Sequence, residues 1–160
     1  MDDYEEHNWV EEGGEKYNPN KDFQSLNAWQ RSRDVKLFFY KKIIPELPID
    51  EKFGLSTQIK RAAISITANI AEGYGRFHFQ EGIQFYRISR GSLYELKDHL
   101  ISCYDLKFID KKLYQEGLDM IEEAKRLTSG FINYQIRQKN NVMYSKFFIC
   151  RNLFTYNPIH

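Results

Sequence analysis

Cysteine and proline are scarce in this chain of 160 residues. Cys103 and Cys150 are the only two cysteines, they form no CxxC pair, and nothing in the sequence indicates secretion. We therefore expect both thiols to be reduced. Of the four prolines, Pro45 and Pro48 stand close together. They predict the end of a helix, because proline lacks the backbone donor and disfavours helix in the residue before it.

Long hydrophobic runs are missing as well. No apolar stretch approaches the roughly 20 residues that a membrane span needs. The amino terminus, MDDYEEHNWVEEGG, is acidic and lacks the basic start and apolar centre of a secretory signal. We therefore expect a soluble, cytoplasmic protein with no membrane partner. Hydrophobic residues at 42% and aromatic residues at 16% exclude a wholly disordered chain and suffice for one domain with a core.

Charge is segregated along the chain, although the net charge is only +1. Residues 1–22 contain eight acids and two bases, which gives −6 and leaves +7 for the remainder. From Arg137 to the end there are four bases and no acid. A basic body with an acidic arm suits a polyanionic partner, for which the arm acts as an electrostatic competitor. Solvated terminal extensions are the alternative interpretation.

Apolar residues recur at helical spacing in four segments, and no segment shows a strand pattern. The pattern predicts helices over residues 25–46, 56–73, 79–106 and from a cap at Asp110 to 133, with Ser56 as the second N-cap. Short connections favour antiparallel neighbours, so the predicted fold is all-α, an antiparallel up-and-down four-helix bundle. It occupies residues 25–133, between an acidic arm (1–24) and a basic, aromatic tail (134–160). We expect the tail's run KFFIC to pack on the bundle or on another subunit.

The second predicted helix has apolar residues on two of its sides. The main stripe contains Leu55, Ile59, Ala62, Ala63, Ile66 and Ile70. A polar strip contains Gln58, Arg61, Ser65, Asn69 and Glu72. The second apolar stripe, Ile64, Ala68 and Ala71, needs a further partner, and we predict an interface with another copy of the chain. Gly73 and Gly75 are predicted to end the helix and to let the chain turn sharply.

Segments of the first three predicted helices together resemble a known family. AWQRSRDV begins at Ala28, FGLSTQIKRAAISITANIAEGYGR at Phe53 and FYRISRGSLYELKDHL at Phe85. From about Leu26 to Asn133 the chain resembles the four-helix bundle proteins of 23S ribosomal RNA intervening sequences. The residues that carry the resemblance are Gln58, Arg61, Asn69, Ile70, Ala71, Glu72, Gly73, Gly91, Ser92 and Glu95.

The resemblance implies a bundle that assembles into a ring-like homo-oligomer, a pentamer, without established catalysis. Some members of the family are encoded within intervening sequences of large-subunit ribosomal RNA genes. Distant relatives of the fold serve as nucleic-acid-binding accessory proteins of diversity-generating retroelements. Both associations favour RNA or DNA as a partner. The acidic arm before Phe23 and the tail beyond Arg137 exceed the family pattern, so the resemblance implies nothing about them.

The polar residues of this signature allow two interpretations. As a hydrogen-bonded network they would fix the register of the helices, with Arg61 or Arg76 paired to Glu72. As a binding site they would hold a small ligand or nucleic acid. The residues concerned are Gln58, Arg61, Asn69, Glu72, Arg76, Ser92 and Glu95.

The sequence shows no motif for catalysis or for a cofactor. GYGR is a lone GxG without the third glycine, preceding strand or Walker lysine of a nucleotide site. Glu95, His99 and Cys103 share one side of a helix, but three ligands on one helix do not make a metal site. Neither HExxH nor facing Glu-x-x-His pairs are present. We expect no enzymatic activity, no cofactor, no metal and no small-molecule substrate.

Basic residues on two predicted helices are candidates for nucleic-acid contact, and their binding should weaken as salt rises. The third helix carries Arg87, Arg90 and Lys97, with Tyr94 nearby for stacking. The first helix carries Arg31, Arg33 and Lys36, followed by Lys41 and Lys42. We hypothesise an RNA- or DNA-binding or scaffolding role through this surface. A protein-interaction adaptor that uses the arm and tail is the alternative, and a merely solvated charged surface also stays open.

Overall fold

The structure, a computed structural model, describes residues 22–76 and 78–154. Four α-helices account for most of them: α1 (Asn27–Phe38), α2 (Leu55–Tyr74), α3 (Phe79–Asp105) and α4 (Lys111–Phe154). The described residues contain no β-strand. The prediction of an all-α fold with four helices is therefore confirmed. None of the helices in this part of the chain combines the length and the apolar character that crossing a membrane requires.

The predicted first helix is present, but its hydrogen-bonding pattern changes near its end. After α1 the chain continues as a π-helical turn over Phe39–Ile43 and a 3-10 turn over Ile44–Glu46. Pro45 lies in that last turn, where its missing donor ends the helical hydrogen-bond ladder. The stop predicted from Pro45 is thus confirmed. A 3-10 turn, Phe23–Ser25, precedes α1, and Asp22 Oδ1 accepts a hydrogen bond from the Phe23 amide at 2.7 Å.

One of the two predicted N-caps is correct. Asp110 caps α4, because its Oδ1 accepts a hydrogen bond from the Leu113 amide at 2.7 Å. The prediction for Ser56 is wrong: α2 begins one residue earlier and Ser56 is buried in its first turn. The cap comes from the preceding connection instead, where Glu51 Oε2 accepts from the Leu55 amide at 2.9 Å.

Helix α4 continues well beyond residue 133, where the apolar pattern of the sequence fades. Ile136 packs against the core, and Lys139 Nζ donates a hydrogen bond to Gln80 Oε1 at 2.5 Å, so this stretch still lies along α3. The first part of the predicted tail is therefore helical and continuous with the bundle. Residues 1–21 of the acidic arm and residues 155–160 of the tail lie outside the described residues.

The four helices form a square in chain order. α2 packs on α1 and α3, and α4 packs on α1 and α3, so α1 and α3 occupy opposite corners. Contacts between side chains fix an antiparallel register for α3 and α4: Lys97 with Glu122, Tyr94 with Lys125, and Gln80 with Lys139. In each of these pairs, a residue earlier in α3 meets one later in α4. The same relation holds for the first helical segment and α4: Arg31 of α1 contacts Glu123 at 3.3 Å, and Lys42 of the following π-helical turn contacts Glu116 at 2.5 Å.

The core has two parts along the bundle axis. The larger cluster, around the α1–α2 and α3–α4 connections, contains fully buried side chains such as Phe39, Ile59, Ile66, Leu96 and Ile121. The smaller cluster, at the other end, contains Ala28, Ile70, Ile83, Tyr86 and Ile132. All members of the main stripe predicted on α2 are in these clusters or packed against them. Burial of that apolar surface is the main stabilising term of the fold.

Small residues allow α2 and α3 to approach closely. Ser89 Oγ donates a hydrogen bond to the Ile66 carbonyl oxygen at 2.6 Å inside the interface. Gly73 is buried within α2, so the prediction that it ends the helix and turns the chain is wrong. It faces Gly82 and Tyr86 instead, and a Cβ at Gly73 would lie 2.5 Å from the Tyr86 ring. Gly75 has an ordinary helical φ of −75°.

Candidate nucleic-acid interface

The polar strip of α2 meets α3 in a hydrogen-bonded cluster. Asn69 Nδ2 donates to the Ser65 carbonyl oxygen at 2.8 Å and to Ser65 Oγ at 2.9 Å. Ser65 Oγ lies 2.8 Å from Ser92 Oγ on α3, and Ser92 Oγ also lies 3.2 Å from the Ile88 carbonyl oxygen. These side chains satisfy one another at half-buried positions. The arrangement matches the network interpretation of the signature, in which polar contacts fix the helix register.

Two ion pairs flank this cluster. Arg61 Nη2 donates to Glu95 Oε1 at 2.8 Å across α2 and α3. Glu72 pairs with Arg76 one turn further along α2, so of the two predicted partners for Glu72 the structure selects Arg76. His99 Nε2 lies 3.8 Å from the same Glu95 oxygen. Both ion pairs are largely exposed, which limits each to less than about 1 kcal/mol.

The second apolar stripe of α2 is uncovered in the single chain. Ile64 is 53% exposed, Ala68 is exposed and Ala71 is half-buried, whereas Ile59 and Ile66 on the main stripe are fully buried. The α2–α3 register brings Ile88, also exposed, level with Ala68. The sequence analysis missed Ile88, because it lies outside the main stripe of α3. We call Ile64, Ala68, Ala71 and Ile88 the α2 outer face.

A second surface feature lies where α3 meets α4, around Tyr94. The Tyr94 ring is 55% exposed, and Lys125 Nζ sits 3.9 Å from its centroid. Lys97 Nζ donates to Glu122 Oε1 at 2.7 Å, and Lys125 Nζ lies 3.0 Å from both oxygens of Glu122. Two lysines therefore share one carboxylate beside an aromatic ring. The hydrogen bond with Glu122 raises the pKa of Lys97, and hydrogen bonds from Lys97 and then Lys125 lower the pKa of Glu122.

Four arginines on the same two helices have no acidic partner among the described residues. Arg87 and Arg90 on α3, and Arg126 and Arg137 on α4, form no ion pair with any residue that the structure describes. By helical spacing, Arg87 and Arg90 lie on the side of α3 that carries Tyr94 and Gln80, whereas Arg126 and Arg137 are exposed on the outer side of α4. Ten residues of helix separate Arg87 from Lys97, which is about 15 Å. We call this surface the basic tract, and it consists of Arg87, Arg90, Tyr94, Lys97, Lys125, Arg126 and Arg137.

Three members of the basic tract come from α4 and were not among the predicted site residues. Lys125, Arg126 and Arg137 sit among acids in the sequence or in the unassigned tail, so their spacing alone indicates an ordinary solvated face. The register of α3 against α4 brings Lys125 to the Tyr94 ring, and Arg126 and Arg137 follow on the same helix. Weak sequence signals on two helices thus combine into one surface.

The basic candidates of α1 lie elsewhere and are partly engaged. Arg31 contacts Asp34 at 3.2 Å and Glu123 at 3.3 Å. Lys36 Nζ donates to Thr67 Oγ1 at 3.1 Å, while Arg33 is exposed. Because α1 and α3 occupy opposite corners, these residues lie away from the α3 members of the basic tract. The α1–α4 seam near Arg31 forms an open groove of about 330 Å³, lined by Asn27, Gln30, Arg31, Asp34, Glu123 and Leu127.

Reactive and metal-ligating side chains offer little for chemistry in this part of the chain. Cys103 is fully buried, and burial raises the pKa of its thiol to about 11, which keeps it protonated and unreactive at neutral pH. Burial raises the pKa of Tyr86 above its ordinary value, and the charge interaction with Tyr74 raises this pKa further. Within residues 22–76 and 78–154, no three His, Cys, Asp or Glu side chains come together as metal ligands.

The conserved pattern of a protein family matches most of this bundle. The profile of the 23S rRNA-intervening sequence protein family matches residues 24–130, which include the polar cluster of α2 and α3. The chain belongs to this family. The resemblance stated from the sequence is thereby confirmed, and the match ends shortly before Asn133. Among curated proteins, no match is found.

Solved structures with the same fold support the bundle. One is a protein of unknown function from the S23 ribosomal protein family of Bacteroides thetaiotaomicron VPI-5482. It is 22% identical in sequence, with a TM-score of 0.60, and the alignment covers 66% of this chain and 97% of that one. At this identity the likeness concerns the fold alone. The descriptions of the family and of this structure name no reaction.

Proposed function

We propose that this chain is a non-enzymatic, self-assembling bundle that binds RNA along the basic tract. The observation that carries the proposal is the set of four arginines on α3 and α4 without an acidic partner in the described part of the chain, together with the exposed ring of Tyr94. A guanidinium that is already paired must lose its partner to bind phosphate, whereas these four are available. The family is named for 23S rRNA intervening sequences, and this association also favours RNA as the partner.

The chemistry of the basic tract suits a single strand in particular. Arginine donates two parallel hydrogen bonds to a phosphate, and its contribution carries no base preference. An exposed aromatic ring stacks on an unpaired base of any identity, with about 1–3 kcal/mol per base. Tyr94 provides that ring, and Lys125 beneath it holds its orientation. The tract therefore fits a sequence-tolerant contact with a few nucleotides.

Self-assembly through the α2 outer face would multiply this weak contact. A bundle helix that leaves Ile64 and Ala68 in water retains an apolar surface that a second copy can bury. A closed ring, such as a pentamer, would present several basic tracts to one RNA molecule. Linked sites raise avidity without any new contact. Assembly and RNA binding use different helix faces, so both can occur together.

A protein-interaction adaptor without a role in nucleic-acid binding is the second candidate. It is favoured by an exposed apolar patch at one end of the bundle, where Ile49 is 80% and Phe53 is 85% exposed and Leu106 is exposed as well. Patches of this kind mark protein contacts more often than nucleic-acid contacts. This candidate predicts no retention of RNA at any salt concentration.

Charge reversal on α3 tests the first proposal. The Arg87→Glu, Arg90→Glu double variant should weaken binding of a fluorescein-labelled single-stranded RNA of about 20 nucleotides by tenfold or more at low salt, measured by anisotropy. The matched control is Arg33→Glu with Lys41→Glu, which makes the same charge change at exposed sites on α1 and on the turn that follows it. Unchanged binding by the α3 variant, or an equal loss in both variants, would remove the basic tract as the site.

A further inference from the structure

We propose that the acidic segment formed by residues 1–21 of the same chain occupies the basic tract and competes there with RNA. The competition with RNA rests on the proposed function, but the contact between the segment and the tract can be tested without RNA. The segment contains seven acids and two bases. The four unpaired arginines of the tract provide the opposite charge, and the two patches are therefore complementary.

The attachment point of the segment lies at the correct end of the bundle. Asp22 immediately precedes the turn that leads into α1, and α1 begins at the end of the bundle where α3 begins. Arg87 lies in the first third of α3, and the register that pairs Gln80 with Lys139 places Arg137 in the same end of the bundle. The segment thus joins the bundle near one end of the basic tract.

The distance to be covered is short for a segment of this length. From the corner of α1, the chain must pass across α4, whose diameter with side chains is about 10–12 Å. Glu15 stands seven residues before Asp22, and seven extended residues span about 24 Å. Glu11 and Glu12 can reach further along the tract. Attachment to the same chain gives the segment a millimolar effective concentration, so a weak contact suffices.

Several basic residues outside the tract are already paired. Arg31 is held between Asp34 and Glu123, Lys42 is paired with Glu116, and Arg61 is paired with Glu95. A path across α4 brings the segment first to Arg126 and then to Arg90 on α3. The acidic segment would lower the affinity for an RNA that contacts only one subunit. A longer RNA that contacts several subunits at once would displace the segment.

The affinity test uses the full chain with a changed segment. Glu11→Gln, Glu12→Gln and Glu15→Gln together should tighten binding of the same labelled RNA about fivefold at low salt, and the gain should shrink as salt rises. The matched control neutralises three exposed acids at the opposite end of the bundle: Glu46→Gln, Asp50→Asn and Asp105→Asn. If both variants bind RNA more tightly by the same factor, the net charge of the chain explains the change in affinity, and the proposal is overturned.

A second measurement detects the contact without RNA. A carbodiimide joins a carboxylate to an amine only when the two groups touch, so it should link Glu11, Glu12 or Glu15 to Lys97 or Lys125. Mass spectrometry of a mixture of unlabelled and ¹⁵N-labelled chains separates links within one chain from links between chains. Links confined to lysines outside the tract, or found only between chains, would contradict the proposal. If links form in the tract but no variant binds RNA, the proposed function fails and the contact stands.

Discussion

Gly73 of α2 and Gly82 of α3 face each other where the two helices cross. A Cβ on Gly73 would lie 2.9 Å from the Gly82 carbonyl oxygen, and a Cβ on Gly82 would lie 2.8 Å from that of Gly73. The two backbones are therefore closer here than any side chain permits. This contact explains the glycine that ends the sequence NIAEG: it sets the spacing of α2 and α3, on which the polar cluster around Asn69 depends.

The crossing predicts opposite effects of alanine at two helical glycines. Gly73→Ala should lower the free energy of unfolding by about 1–3 kcal/mol, because the new methyl group meets the Tyr86 ring and backbone of α3. Gly91→Ala, where a Cβ meets nothing within 4 Å, should raise it by up to about 1 kcal/mol through helix propensity. Urea unfolding followed by circular dichroism measures both. A neutral or stabilising Gly73→Ala would contradict the close crossing.

Replacing Asn69 with aspartate should destabilise the fold. In Asn69→Asp the donor that serves both Ser65 oxygens becomes an acceptor, and the half-buried Ser65 carbonyl oxygen faces a carboxylate. We expect a loss of about 1–3 kcal/mol at neutral pH. Gln58→Glu makes the same amide-to-acid change at an exposed position of the same polar strip and should change stability by less than about 0.5 kcal/mol. Equal effects in the two variants would argue against the network.

Assembly should depend on the α2 outer face. Ile64→Glu should reduce the native mass to that of the 19.2 kDa chain, because a charged side chain cannot be buried against a second copy without a partner. Ile49→Glu places the same charge at another exposed isoleucine, at the end of the bundle, and should leave the mass unchanged. Light scattering coupled to gel filtration gives the mass, and circular dichroism checks the helix content. Wild-type protein that is monomeric when concentrated would refute the interface.

Stability should fall in alkaline solution because of buried groups that prefer to stay protonated. The Cys103 thiol has its pKa raised from 9.0 to about 11 in the folded chain, so its contribution is complete below pH 9 and declines as the pH approaches 11. At pH 10.5 this amounts to about 2 kcal/mol less than at pH 8. Cys103→Ala should make that decrease smaller, measured as the difference between unfolding free energies at the two pH values. The raised pKa of Tyr86 acts in the same direction.

The helices could be predicted from the sequence because each has a continuous apolar stripe, and because Pro45 and Asp110 act on their own neighbours. Gly73 was misjudged because a glycine that ends a helix and one at a helix crossing look alike without the partner helix. The Ser56 cap failed for a similar reason, since Glu51 from the preceding connection provides the bond instead. Local signals were reliable where no distant residue competed with them.

The candidate site was less predictable, because it depends on the register between helices. The sequence offered Glu72 as a partner for Arg61, but Glu72 lies about 16 Å further along α2, and the packing of α2 on α3 places Glu95 against Arg61 instead. Likewise, Tyr94 was visible as an aromatic residue among bases, but its neighbour Lys125 comes from α4. Register is set by side-chain packing along the whole interface, and helical periodicity alone does not specify it.

The salt dependence of RNA binding tests the central claim, that the basic tract binds phosphate, most directly. With four available arginines, the logarithm of the association constant should fall against the logarithm of salt concentration with a slope of about −3 for a single strand. Arg87→Gln with Arg90→Gln should reduce that slope to about −1.4, because two phosphate contacts are lost. Binding with no salt dependence, or a slope that the double variant leaves unchanged, would contradict the account.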